Sequence, residues 1–252
     1  MSIIVNADDF GKSSEVNRAI CECFELGYID RTTLMVNMPY ADEAVKLAGE
    51  KGFFDKIGLH LNLTAGIPLT EEIRKNPLFC DEEGCFHAKF HQQMKYRLHM
   101  DKNAIRQVRE ELSAQIERYI SYGLTLKHID SHHHVHTDLP VLKALIPILE
   151  VYDIRSVRIG RNLFHHEAIS NKLYKHYYNN KLRTLPIQVT DYFGSHEDLI
   201  KYLRTPALNR ADLYKNHSIE IMTHPMYDTC GALVDTNIVI DEAWNKIHKL
   251  PF

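Results

Sequence analysis

The chain has 252 residues, 44% hydrophobic and 25% charged, with a formal net charge of −3 and a pI near 6.6. That length suits one large α/β domain spanning residues 1–252. The weak negative charge excludes nucleic-acid binding through a basic patch, and no apolar run approaches the roughly 20 residues of a membrane helix.

The elements alternate from the start. Ile3–Ala7 reads as a strand. A helix follows from about Ser14, capped by Ser13 or Ser14, with Val16, Ala19, Ile20, Cys23 and Phe24 on one face. Gly27 stands where a left-handed C-terminal cap belongs. Thr32–Met38 is a second strand, Ala41–Glu50 a second helix and Ile57–Leu63 a third strand. From Gly66 to Met100 the pattern is irregular, as loops and a hairpin would make it. Cys80 and Cys85 flank a turn there, where a structural zinc or a disulfide is conceivable. The odd total of five cysteines otherwise suggests no disulfide framework. With no basic n-region at the start, a reduced cytoplasmic protein is the expectation.

A long helix is predicted over Lys102–Tyr122, its buried stripe formed by Ile105, Val108, Leu112, Ile116, Tyr119 and Ile120. Leu126–Ser131 is a fourth strand. A helix follows near Leu139–Val151, with Asp138 as its cap, Pro140 in its first turn and Pro147 as a kink point. Ile154–Ile159, Ile187–Tyr192 and Ile219–Thr223 read as three more strands. Such alternation implies parallel strands joined by crossover helices. Seven strands without a Gly-rich nucleotide turn favour a distorted TIM-like (β/α) barrel over a Rossmann sheet.

Polar residues gather at the C-terminal strand ends, the edge at which α/β folds bind ligands. Asp8 and Asp9 end the first strand. In Gly58-Leu59-His60-Leu61-Asn62-Leu63-Thr64, the polar residues alternate with leucines and so share one face. Five of the sixteen histidines fall within His128-Ile129-Asp130-Ser131-His132-His133-His134-Val135-His136. A solvated histidine patch is the bland reading of that run, but Leu124 and Leu126 indicate a buried strand running into it, which favours a metal site. His224 ends the last strand. An aspartate and two histidines from three strand ends would make a three-ligand site open to water and substrate. A spare carboxylate and histidine beside it suit general base and acid.

These segments resemble the YdjC-like carbohydrate deacetylases, which include the chitooligosaccharide deacetylases. The matching runs are Val5-Asn6-Ala7-Asp8-Asp9-Phe10-Gly11, Leu34-Met35-Val36-Asn37, Gly58–Thr64, His128–His136 and Asp191-Tyr192-Phe193-Gly194. The last motif, usually Cys-His-Pro in the family, is Thr223-His224-Pro225 here. The resemblance implies a distorted TIM-like barrel that removes acetyl groups from N-acetylated sugars with one divalent ion. Asp9, His60 and His132 would bind the ion, Asp8 would be the general base and His224 the general acid. Family resemblance suggests Mg²⁺, while two imidazoles suit Zn²⁺ or Mn²⁺ better.

Asn62, His136 and Arg158 are further candidates for substrate contact. The segment Leu163–Arg183 is the least family-like, and Tyr174, Tyr177 and Tyr178 could form a sugar platform or pack a helix. The sugar's length, any phosphate on it, and oligomeric state, a homo-oligomer included, stay open. The rival readings are another metal hydrolase acting on a phosphorylated disaccharide, and a non-catalytic metal- or sugar-binding module.

Overall fold

Seven short segments, most of them β-branched or aliphatic at their buried positions, join into one parallel sheet. A computed structural model describes residues 2–163, 169–205 and 217–248. The strands are β1 Ser2–Phe10, β2 Arg31–Leu34, β3 Ile57–Leu61, β4 His128–Ser131, β5 Ser156–Val157, β6 Tyr192–Ser195 and β7 Ser218–Thr223. Their order is β5-β4-β3-β2-β1-β7-β6, and every pairing is parallel.

This is barrel order interrupted between β5 and β6. A parallel bridge between Ser156 and Gln188 partly spans that gap. Backbone bonds from Gln188 N to Arg155 O (2.7 Å) and from Asn162 N to Phe193 O (2.9 Å) extend the closure. The distorted barrel foreseen from the alternation is therefore the fold.

Five expected strands are shorter or displaced, the third ending at Leu61 and the fourth beginning at His128. The second stops at Leu34, because Met38 N turns back to Met35 O at 3.2 Å. The fifth keeps only Ser156–Val157, and the sixth begins at Tyr192 instead of Ile187. A small antiparallel sheet that periodicity did not reveal follows the barrel: β8 Pro225–Tyr227, β9 Leu233–Asp235 and β10 Ile238–Val239.

The helices are α1 Ser14–Glu25, α2 Ala41–Lys51, the short α3 Glu71–Arg74, α4 Lys89–Gln92 and α5 Met94–Leu98, then α6 Lys102–Ser121, α7 Leu139–Val151, α8 Ile169–Arg183, α9 His196–Arg204 and α10 Glu242–His248. Ser13 is the α1 cap, its Oγ accepting from Val16 N at 3.2 Å. Asp138 does not cap α7. Its carboxylate is occupied by His91 Nδ1 (2.7 Å) and Arg97 Nε (2.8 Å), which tie the α4–α5 excursion to the barrel. That excursion holds three short helices and the expected hairpin in minimal form, the antiparallel bridge Cys80–Phe86 flanked by backbone bonds from Asp81 N to Cys85 O and from His87 N to Phe79 O, both 2.9 Å. Cys80 and Cys85 are both free thiols. No described helix is long and apolar enough to cross a membrane.

The α6 stripe buries Val108, Leu112, Ile116 and Tyr119 as the period of 3.6 requires, but Ile120 lies outside it and is exposed. The Tyr119 hydroxyl lies 2.7 Å from Ile57 O and 2.6 Å from Leu126 O, joining the start of β3 to the lead-in of β4. Tyr119→Phe leaves those buried carbonyls short of a donor. It should lower unfolding stability by about 1–3 kcal/mol, read as a reduced urea midpoint.

Candidate active site

The chain's most chemically loaded residues meet at the C-terminal ends of β1, β3, β4 and β7. A β-bulge makes the first contribution. Register between β1 and β2 steps from Ala7–Thr32 to Phe10–Leu34, so β1 carries one residue more than its partner. Within it Asp9 has φ 71, in the left-handed region. In a regular strand neighbouring side chains point to opposite faces. The bulge breaks that alternation, and Asp8 and Asp9 both turn into the barrel interior. Aspartate tolerates the left-handed region better than most residues, and such backbone strain concentrates at functional sites.

Asp9 then meets two histidines. Its Oδ1 lies 2.7 Å from His132 Nδ1 and 3.2 Å from His60 Nε2. The donor atoms of Asp9, His60 and His132 all fall within 4.8 Å of one another, and all three residues are buried. Asp130 Oδ1 holds His60 Nδ1 at 2.7 Å, and Thr33 Oγ1 lies 3.1 Å from the same nitrogen. This carboxylate–histidine pairing fixes the ring with Nδ1–H towards Asp130 and Nε2 towards the cluster, the arrangement that supports a ligating imidazole. Two imidazole nitrogens and one carboxylate oxygen, backed in this way, fit a divalent cation.

The charges agree. Burial opposes ionisation of Asp9, yet hydrogen bonds from His132 and His60 hold its carboxyl far below the usual range. Burial keeps His132 below its ordinary value despite Asp9. Burial also disfavours charge on His60, but Asp130, Asp9 and Asp8 outweigh it and push the pKa up to about 10. The negative field that holds a second proton on His60 is the field that attracts a cation, since proton and metal compete for such donors.

Behind these ligands lies Arg158, with no exposed surface. Its two terminal nitrogens grip Asp8 at 2.6 and 2.7 Å, one of them also reaches Asp130 Oδ2 at 2.7 Å, and its Nε donates to Glu220 at 2.7 Å. The guanidinium stacks on Phe193, 4.7 Å from the ring centroid. Burial would raise the Asp8 pKa, but the charge and hydrogen bonds of Arg158 keep it well below the carboxylate range. Asn6 Nδ2 adds a bond to Asp8 Oδ1 at 2.7 Å. Glu220 is balanced by Arg31 as well, at 2.9 Å, and against the cost of burial its pKa falls to about 2.

His224 stands at the open rim with 41% of its side chain exposed. Its Nε2 is 3.9 Å from Asp8 Oδ2, and its Nδ1 is 3.9 Å from Asp235 Oδ1. The backbone N–H of His224 donates to the same Asp235 oxygen at 3.1 Å. Asp8 thus sits between a rim histidine and the candidate metal ligands.

A family profile described as YdjC-like protein matches residues 2–246. The chain belongs to the YdjC-like family. A Clostridium beijerinckii relative named carbohydrate deacetylase is 33% identical over 228 residues, 90% of this chain and 82% of that protein. A Brevibacillus brevis protein of the same name is 32% identical with the same coverage. One from Vibrio cholerae is 40% identical over 162 residues, 64% of this chain and 60% of its own length. Among solved structures, an Enterococcus faecalis V583 protein described as a cellobiose-phosphate cleavage protein shares the fold. Its TM-score is 0.66 at 24% identity, over 90% of this chain and 82% of that one.

Within this YdjC-like site, three expectations need correction. Asn62, His136 and Arg158 were candidates for substrate contact, and all three have no exposed surface. Asn62 staples the loop after β3, donating to Ala65 O (2.7 Å) and accepting from Thr64 N (3.0 Å). His136 is fixed between Ser131 Oγ and Arg158 O. Arg158 is spent on carboxylates. Of the histidine run, only His132 joins the candidate metal group: His133 is exposed against Thr64, and His134 packs edge-on to Phe193. Tyr178 is fully buried and packs near His136, while Tyr177 is exposed. The roles of Asp130 and Glu220 escaped the sequence reading. Their signal was a carboxylate inside an otherwise apolar strand, as in Ile219-Glu220-Ile221.

Glu220 carries a pH signature. Its folded pKa of about 2 lies below the ordinary 4.5, so its contribution is fully present above pH 4.5 and lost as pH falls towards 2. Urea unfolding should show up to about 3 kcal/mol lost across that window, with a smaller loss in Glu220→Gln. An equal loss in that variant would show that another group sets the acid limb.

Proposed function

We propose that this chain is a metal-dependent carbohydrate deacetylase that hydrolyses the acetyl amide of an N-acetylated sugar. One observation carries the reading: Asp9, His60 and His132 converge from three strand ends, with Asp8 and His224 beside them, in a chain whose YdjC-like relatives are named carbohydrate deacetylases. A non-catalytic binding module has no use for an ionised carboxylate and a rim histidine flanking the ligands.

Asp9, His60 and His132 would hold a divalent ion, which would supply a Lewis acid for the acetyl carbonyl and lower the pKa of water there. Asp8 enters the reaction already ionised, because Arg158 holds it so. It takes the proton from the attacking water as the oxygen–carbon bond forms. Its low proton affinity makes it a relay and not a store. His224, as imidazolium, gives a proton to the sugar nitrogen as the carbon–nitrogen bond breaks, so that acetate and a free amine leave. Asp235 lies 3.9 Å from His224 Nδ1 and accepts from the His224 backbone N–H at 3.1 Å, which positions the residue at the rim. Two imidazoles in the donor set favour Zn²⁺ or Mn²⁺ over the Mg²⁺ that family resemblance suggests.

The rest of the sugar would extend over His133 and His134 into a cavity of about 230 Å³. Arg97, Arg161 and Lys175 line it and, among the described residues, no carboxylate does.

Acetate release from N-acetylglucosamine oligomers, with and without a terminal phosphate, tests the reading directly. Chelator should abolish release, and added Zn²⁺ or Mn²⁺ should restore it. Asp8→Asn should keep the metal and lose about 10²- to 10⁴-fold in rate, whereas His132→Ala should lose metal and activity together. A near-normal rate in Asp8→Asn would remove Asp8 from the role of base.

A further inference from the structure

A second cavity, of about 480 Å³, lies at the opposite mouth of the barrel. Arg31, His128, Ser156 and Ser218 line it as the first residues of β2, β4, β5 and β7. Three buried polar atoms of its lining residues, Arg31 Nη2, His128 Nε2 and Thr190 Oγ1, have no hydrogen-bond partner among the described residues. His128 is 2% exposed, and its other ring nitrogen is engaged with Ser156 Oγ at 2.8 Å. Buried groups of this kind are normally satisfied. Three around one cavity call for a polar partner.

The surrounding charge defines what that is. His128, Asp130 and Glu220 present donor atoms within 4.8 Å of one another, a spacing that could hold a cation. Their oxygens, however, already serve His60, Arg158 and Arg31, and the two guanidiniums repel a further positive charge. For an anion the same groups are attractive. The lining residues carry two guanidiniums, Arg31 and Arg183, against one carboxylate, Glu220, which Arg158 also holds from behind. His128 Nε2 faces Glu220 Oε1 at 3.9 Å, which favours a proton on that nitrogen, with Ser156 donating to the other. His128 and Thr190 then both offer hydrogen-bond donors to the cavity, while Ile4, Val157 and Val189 give it an apolar side.

We propose that this cavity binds a small oxyanion, a short carboxylate or inorganic phosphate, through Arg31, Arg183, His128 Nε2–H and the Thr190 hydroxyl. The site is separated from the metal ligands by the Arg158 layer and does not depend on the deacetylase reading. Its position gives it a line of direct ion pairs to Asp8, through Arg31, Glu220 and Arg158.

Calorimetric titration of the full chain with sodium acetate and, separately, sodium phosphate, against sodium chloride at matched ionic strength, tests it. Saturable binding of either anion is expected, and the anion that binds identifies the source. Arg183→Gln, which removes an exposed charge, should weaken binding about tenfold, the value of one charge-assisted bond. Thr190→Val, which keeps the shape and removes the hydroxyl, should weaken it about threefold. Neither variant touches the candidate catalytic residues, so acetate release should be unchanged. Absence of saturable binding by both anions would overturn the proposal, as would affinity unmoved in both variants. A Thr190→Val protein that is more stable and binds neither anion would assign the cavity to water alone.

Discussion

A single buried guanidinium governs this molecule. Four carboxylates, Asp8, Asp9, Asp130 and Glu220, lie within the barrel, all at most 5% exposed. Left alone, they would be driven to protonate, because burial disfavours charge and like charges repel. Arg158 contacts three of them at hydrogen-bond distance and rests its plane on Phe193. Lysine could not replace it, since only a planar fork reaches three carboxylates and an aromatic face at once. Taking one partner from such a buried network typically costs about 3–5 kcal/mol, so the site and the stability of the barrel share one constraint.

The division of labour between the two adjacent aspartates follows from this guanidinium and from the bulge that presents them. Asp8 is satisfied by Arg158 and Asn6, and its charge is fixed. Asp9 receives no guanidinium; it faces His60, His132 and Lys12. One residue of backbone separates a carboxylate that is electrostatically committed from one whose partners are all metal-type ligands or a half-exposed amine. A regular strand would have sent one of the two outward under the helices. The left-handed turn at Asp9 is therefore what lets consecutive residues serve two purposes in one interior.

Much of this was legible in the sequence, and the remainder fails for identifiable reasons. The β/α alternation carried the barrel, because each strand and helix announces its own period. The α7 limits are those read from Leu139 and Val151. Asp9, His60 and His132 could be singled out because each lies at or next to a strand end, where a polar residue has few structural excuses, and because family motifs name them; the structure brings the three together. Asn62, His136 and Arg158 were misjudged because polarity beside an active site looks the same from the chain whether the side chain faces ligand or backs the wall. Asn62 and His136 are consumed by local loop bonds, and Arg158 by partners up to 150 residues away. Asp138 shows the same blindness: its sequence position is that of a cap, yet its oxygens belong to His91 and Arg97 from a distant excursion. Periodicity encodes direction, not the partner waiting there.

The same accounting of occupied oxygens decides between candidate metal groups that proximity alone cannot separate. Three sets of buried donors are compact enough for an ion: Asp9 with His60 and His132, Asp8 with His60 and Asp130, and His128 with Asp130 and Glu220. In the second, Asp8 is claimed by Arg158 and Asn6, and Asp130 by His60 and Arg158. In the third, Glu220 is claimed twice by guanidinium groups. A cation entering either set must displace an arginine from a dry interior, losing charge-assisted bonds and meeting positive charge at contact distance. In the first set, Asp9 must release only its histidine partners, which can turn from proton donors into ligands, and its one cationic contact, Lys12, can retreat into solvent from 43% exposure. Arg158 thus does more than neutralise carboxylates. By occupying the inner positions it leaves the outer set as the one a divalent ion could enter, beside Asp8 and open to the rim where His224 stands.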